Sequence, residues 1–281
     1  MIVYENSAGE KIRLDRNGLY CDEGTLRDFT WDYNYSGYPD GTGGSVSRFT
    51  RHEKTKSFNM SAYLLDTEDL KKLLNRFHNI TEYDIRQKTP GKLWLNKQYI
   101  SCYLITSEIT NKAKHMLFVS RKVTILPVIP YWCIEKTKTF NKSESSSAVD
   151  EYGKKYNGRY PYKYGTGYSQ SSLDNSDVSW DTPMIITFYG PASNPSVSIG
   201  DTIYTLNATI AASERAIIDQ VHKKIYKIGS AGTRTNLFNT RDKTQDVFRF
   251  APSGSVPILH SGDFSFSITL VQQRSEPLWN A

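Results

Sequence analysis

The sequence is poor in the residues that build most reactive sites. Its three cysteines, Cys21, Cys102 and Cys133, are an odd number in apolar or strand-like settings without C-x-x-C spacing, which argues against both a disulfide framework and a zinc site. Five histidines, His52, His78, His115, His222 and His260, stand far apart and never at the i, i+4 spacing of a metal pair, so surface positions are expected for them. There is no G-x-S-x-G elbow, no phosphate-cradling glycine loop and no H-E-x-x-H, so neither an activated nucleophile nor a metal-bound water is expected. Asp174-Asn175-Ser176-Asp177 offers oxygens of the kind that hold calcium. It lacks the glycine and distant bidentate glutamate of a calcium loop, and a polar turn is the expectation. No catalytic residue, metal or cofactor is expected.

Long apolar runs are missing as well. No stretch of about 18 apolar residues occurs, and the opening MIVYENSAGEK turns polar almost at once, so neither a membrane span nor a signal peptide is expected. Charge of one sign is not concentrated anywhere. The 35 basic and 29 acidic side chains leave a net +6 spread along the chain, without the stripe that tracks phosphates, and no specific nucleic-acid partner follows.

What is present points to β structure. With 281 residues, 38% hydrophobic and 13% aromatic, including 19 tyrosines, the chain has material for two folded domains of mainly β type. Met1 to Tyr4 and Lys11 to Leu14 alternate like strands, and Asn17-Gly18 tolerates the positive φ of a tight turn. From Leu26 to Tyr35 a period of two puts Phe29, Trp31 and Tyr33 on one aromatic face, and the glycine-rich stretch Ser36 to Gly44 reverses the chain into a long hairpin. Asp66-Thr67-Glu68-Asp69 is a helix start, with an N-cap oxygen and acidic residues at the positive end of the dipole. Leu70, Leu73, Leu74 and Phe77 form its apolar stripe. Strands follow over Lys92 to Leu95, Tyr99 to Ile109, Met116 to Thr124 and Ile125 to Ile134.

The segment Thr137 to Asp181 interrupts this pattern. Rich in Ser, Gly, Lys and Asn and almost without aliphatic residues, it cannot bury enough apolar area to offset the entropy of ordering it. Its tyrosines, Tyr152, Tyr156, Tyr160, Tyr162, Tyr164 and Tyr168, interleave with Lys154, Lys155, Arg159 and Lys163. Three readings stay open: an arm folded on its own domain or a neighbouring subunit, a protein-contact surface, or a platform for stacked bases. Beyond it, short strands resume from Met184 to Gln272, including Thr202 to Ile210 and Val247 to Phe250, at the spacing of an antiparallel sandwich. Phe264, Phe266, Ile268 and Leu270 mark a mid-sheet strand. The expected organisation is an N-terminal β domain over 1–135, a polar Tyr/Ser/Gly-rich arm or linker over 136–181, and a β-sandwich over 182–281.

In this order the segments resemble the distal tail proteins of long-tailed, non-contractile phages of Gram-positive hosts. The likeness lies in the Asn17-Gly18-Leu19 meander, the long hairpin, the helix after Asp66 and the strand Pro90-Gly91-Lys92-Leu93-Trp94-Leu95. It continues through Ile199-Gly200-Asp201-Thr202-Ile203, Ala216-Ile217-Ile218-Asp219, Leu259-His260-Ser261-Gly262-Asp263-Phe264 and the closing Arg274-Ser275-Glu276-Pro277-Leu278-Trp279. The resemblance implies an all-β chain with one short helix: a ring-forming, sandwich-like N-terminal domain with hairpin and helix, then a galectin-like antiparallel sandwich. It implies a non-enzymatic virion component, assembled in the host cytoplasm, forming a hexameric ring at the tail tip. Its partners would be copies of itself, the tail tube protein, a tail-associated lysin or fibre, and receptor-binding proteins, with no membrane. Trp31, Tyr33, Tyr156, Tyr160, Tyr162, Tyr164 and Tyr168 are the expected protein contacts. The alternative is a carbohydrate- or cell-wall-binding β-sandwich module, although Trp180 and Trp279 do not sit in the His-Asn-Pro-Arg to Trp-Glu-Arg constellation of galectins.

Overall fold

The computed structural model describes residues 1–112, 117–142 and 169–279. The chain divides into two compact units, Met1–Ile134 with Gln273–Ala281, and Glu135–Gln272. Among the described residues it is mainly β with one α-helix, as the alternation predicts.

The first unit contains β1 (Ile2–Glu5), β2 (Lys11–Arg13), β3 (Leu19–Cys21), β4 (Asp32–Gly37), β5 (Gly44–Thr50), β6 (Lys56–Tyr63), α1 (Thr67–Gln87), β7 (Gly91–Leu95), β8 (Gln98–Lys112), β9 (Phe118–Pro127) and the start of β10 (Trp132–Phe140). Antiparallel pairing runs β2-β1-β7-β8-β9-β6-β3. β6 alternates strictly, with Phe58, Met60 and Ala62 turned into the core. α1 packs on β8, β2 and β6 through Leu70, Leu74, Phe77 and Ile80. Asp66 caps it, accepting from the amides of Glu68 at 2.7 Å and Asp69 at 3.0 Å.

The helix is longer than the sequence pattern suggests, because its last buried position is a carboxylate. Asp84 accepts from the Tyr4 hydroxyl at 2.6 Å and the Ser7 amide at 2.7 Å, so a charged residue continues the inward stripe with its bonds satisfied. The expected break between Met116–Thr124 and Ile125–Ile134 does not occur within β9, which ends on Pro127 opposite Cys102, where a missing donor is tolerated. Nor is Leu26 to Tyr35 one strand. Leu26 is fully buried in a turned segment, and the Lys56 ammonium collects its carbonyl at 3.0 Å, that of Thr25 at 3.3 Å and that of Asp28.

The second unit contains the end of β10, β11 (Ser169–Asn175), β12 (Met184–Tyr189), β13 (Ala192–Ser193), β14 (Ser196–Ile199), β15 (Thr202–Thr205), β16 (Thr209–Ile210), β17 (Arg215–Asp219), β18 (Lys224–Ile228), β19 (Arg234–Asn236), β20 (Gly254–His260) and most of β21 (Phe266–Arg274). One sheet runs β19-β18-β17-β12-β21-β10 and another β11-β20-β14-β15, with β13 and β16 as a small pair. Phe188, Phe266, Ile186 and Ile268 of the first sheet share a core with Tyr204, Val197 and Ile258 of the second. β21 lies mid-sheet, between β12 and β10, as its alternation indicates.

Three features differ from the pattern. Val247 to Phe250 is not a strand; its carbonyls are taken by side chains, with Tyr204 Oη at 2.8 Å from Arg249 O and Gln220 Nε2 at 3.2 Å from Val247 O. Ser169–Asn175, polar by composition, pairs along its whole length with β20 as an edge strand. The closing residues 273–279 belong to the first unit. There Leu278 N donates to Gln98 Oε1 at 2.9 Å, Arg27 Nη1 to Pro277 O at 3.1 Å and Arg51 Nη2 to Ser275 O at 3.0 Å.

Candidate protein-contact surface

The strands β4 and β5 pair only with each other. Their register sets Asp32 opposite Thr50, Tyr33 opposite Phe49, Asn34 opposite Arg48, Tyr35 opposite Val46 and Ser36 opposite Ser45, with a bulge between Asn34 and Tyr35. Because side chains alternate, Tyr33, Phe49, Tyr35 and Val46 share one face. Asp32, Asn34, Arg48 and Ser36 take the other. The apolar face is uncovered: Tyr33 is 63%, Phe49 62%, Tyr35 56% and Val46 41% exposed. Tyr33 and Phe49 touch across the pair, ring centroids 6.5 Å apart and tilted by 54°.

The tip is locally determined. Tyr38 N bonds Gly43 O at 2.7 Å, Gly41 N bonds Tyr38 O at 3.0 Å, and Thr42 N bonds Asp40 Oδ1 at 3.1 Å. The hydrogen bonds from Thr42, its backbone amide first, hold the Asp40 carboxyl below its usual range. Gly44 is required for a different reason, since the Tyr35 ring and Ser36 carbonyl occupy the space a Cβ would take.

At the base, Arg51 packs over the Tyr131 ring at 5.0 Å and the Phe29 ring at 6.0 Å. Burial and the nearby Arg51 charge push the Lys56 ammonium down to about 8. A cleft of about 270 Å³ opens there, lined among others by Phe29, Arg51, Lys54, Lys56 and Pro130. Among the described residues no group of three or more His, Cys, Asp or Glu is placed to hold a metal, and no helix is long and apolar enough to cross a membrane.

Of the expected contact residues, Tyr33 lies on the exposed face. Trp31 does not join it: it precedes β4 and tilts against Tyr131 at 6.2 Å. Tyr156, Tyr160, Tyr162, Tyr164 and Tyr168 lie outside the described residues. Sequence reasoning missed Tyr35, Phe49 and Val46. For Phe49 and Val46 the bulge is the reason, because it inserts Ser47 between Val46 and Arg48 and breaks the period of two on the returning strand, whereas Tyr35 continues the alternation of Tyr33.

No protein-family model and no curated protein matches the sequence. Solved structures do match in fold, among them phage baseplate and Dit chains. A chain from the phage P2 baseplate in its activated conformation with Ca superimposes with a TM-score of 0.63 at 13% identity, over 98% of both chains. A chain from the phage p2 baseplate with Sr gives 0.62 at 13%, over 99% of this chain and 100% of that one. The SPP1 Dit (gp 19.1) protein, described as a paradigm of hub adsorption apparatus in Gram-positive infecting phages, gives 0.55 at 9% identity, over 98% and 99%. The whole chain therefore has the fold of these baseplate and Dit chains.

Proposed function

We propose that this chain is a structural hub subunit of a phage tail tip, present in the virion, that assembles with copies of itself into a ring of six. The observation that carries the reading is the hairpin, whose apolar face of Tyr33, Tyr35, Phe49 and Val46 is solvent-exposed in the isolated chain. A two-stranded ribbon is marginal by itself, and a contiguous aromatic patch of this kind marks a surface meant for another protein. Tyrosine and phenylalanine give large contact area at small entropic cost. The fold shared end to end with phage baseplate and Dit chains supports placing that contact in a tail tip. In this reading the sandwich of the second unit is galectin-like, and the chain joins the tail tube protein to a tail-associated lysin or fibre and to receptor-binding proteins. Its work is contact, not catalysis. Tyr156, Tyr160, Tyr162, Tyr164 and Tyr168 are proposed as further protein contacts on the strength of their sequence alone. Negative-stain microscopy of the purified full chain tests the assembly: six-lobed rings are expected, and a field of single particles at every concentration would overturn it.

A further inference from the structure

The outward face of the sheet β11-β20-β14-β15 carries a trough that the hub reading does not use. The register aligns Ile203, Ser198 and Leu259 in one row across β15, β14 and β20. The two large apolar residues are 44% and 41% exposed, and the serine between them is small. β14 therefore forms a floor of Ser196 and Ser198, with walls set two strand spacings apart, about 10 Å at the backbone. The concavity measures about 670 Å³. The Ser196 hydroxyl is fixed by Thr205 Oγ1 at 2.8 Å, and the Ser198 hydroxyl by Gly200 O at 3.3 Å, so the floor is both polar and ordered.

The lining chemistry is selective. β14, β15 and β20 contain no Lys, Arg, Asp or Glu at all, in a chain that is 23% charged. One end of the trough, beyond Ser196, is closed by the loops carrying Asn194 and Asp263, both exposed, which supply an amide and a carboxylate. Among the described residues Asp263 is the one charged residue lining the concavity. That sign disfavours phosphates and anionic polymers, and the rest of the lining favours an uncharged ligand. A ligand with hydroxyls on its edges and an apolar C–H face matches hydroxyl, amide and carboxylate groups set beside aliphatic walls.

We propose that this trough binds a neutral saccharide, a sugar ring lying along β14 with its C–H face against Ile203 and Leu259 and its hydroxyls on Asn194, Asp263 and Ser261. The site is open and shallow, so affinity for a single sugar falls in the millimolar range. The inference does not depend on ring assembly. The test is saturation-transfer NMR on the full chain with glucose, galactose, rhamnose, N-acetylglucosamine and their disaccharides. At least one sugar is expected to bind, and Ser198→Leu, which fills the trough, is expected to weaken it about tenfold with an unchanged melting temperature. The pair Asn194→Gly, which keeps the left-handed backbone of Asn194 (φ 46°), and Asp263→Ala, both on exposed loops, serves the same purpose independently of packing. No transfer from any of these sugars, or equal binding by the parent and the loop variant, would overturn the proposal.

Discussion

The helix α1 and the hairpin β4–β5 obey the same amphipathic rule and end differently. Leu70, Leu74, Phe77 and Ile80 make an apolar stripe that the chain covers with its own sheet. Tyr33, Tyr35, Phe49 and Val46 make a stripe of similar size that stays exposed. At roughly 25 cal/mol per Å² of apolar area removed from water, the first stripe stabilises the subunit. In the proposed reading the second holds the same kind of energy in reserve for another molecule. Where a chain buries its apolar pattern shows what it needs to fold, and where it leaves one bare shows what it needs to meet.

The sharpest way to break this contrast is Leu70→Asp. The residue is fully buried, and an unpaired carboxylate there costs several kcal/mol out of the roughly 5 to 15 a domain has. Circular dichroism of the variant should show the first unit largely unfolded, whereas a parent-like melt would mean the stripe is not core. Leu73→Asp should cost less, because Leu73 is only partly buried.

A milder probe is Tyr4→Phe, which removes the hydroxyl donor from the buried Asp84 carboxylate. A loss of about 1–3 kcal/mol in urea unfolding is expected from leaving an acceptor underbonded. Unchanged stability would mean another donor replaces it.

On the hairpin the expectation reverses. Tyr33→Ser with Phe49→Ser should leave subunit stability within about 0.5 kcal/mol of the parent, since both side chains face water. A large drop in the melt would place these rings in a core.

The smallest effect concerns pH. His260 is buried against Phe140 and Phe266, and desolvation lowers its pKa from about 6.5. A histidine depressed in the folded state binds its proton more readily when unfolded, so its cost is absent above the unfolded value and grows as pH falls through 6.5 toward the folded pKa. The second unit should therefore melt earlier in mild acid, and His260→Gln should flatten that dependence. An acid response unaltered in His260→Gln would assign it to other groups.

The sequence makes visible what local chemistry decides. Asp66 and the acidic residues after it mark where α1 begins, and the alternation of Phe266, Ile268 and Leu270 marks β21 as a mid-sheet strand. It hides what distant partners decide. Asp84 reads as a surface residue until Tyr4 and Ser7 are beside it, and Ser169–Asn175 reads as linker until β20 supplies its bonds. His260, expected at the surface, is buried beside Phe140, distant in sequence, and Phe266 of the next strand. The candidate surface was half legible. Tyr33 follows from alternation, but Trp31 is drawn aside to Tyr131, and the bulge conceals Phe49 and Val46. The closing residues bond Gln98, Arg27 and Arg51, so a fragment ending at residue 135 lacks part of the first unit, and assembly is best studied in the full chain.

The central claim is that the bare hairpin face builds the ring. It is tested most directly by measuring the mass of the full chain, by light scattering over a range of concentrations, beside the Tyr33→Ser and Phe49→Ser double variant. The account predicts a sixfold mass for the parent and a folded monomer for the variant. A parent that stays monomeric throughout, or a variant that assembles as the parent does, would contradict it.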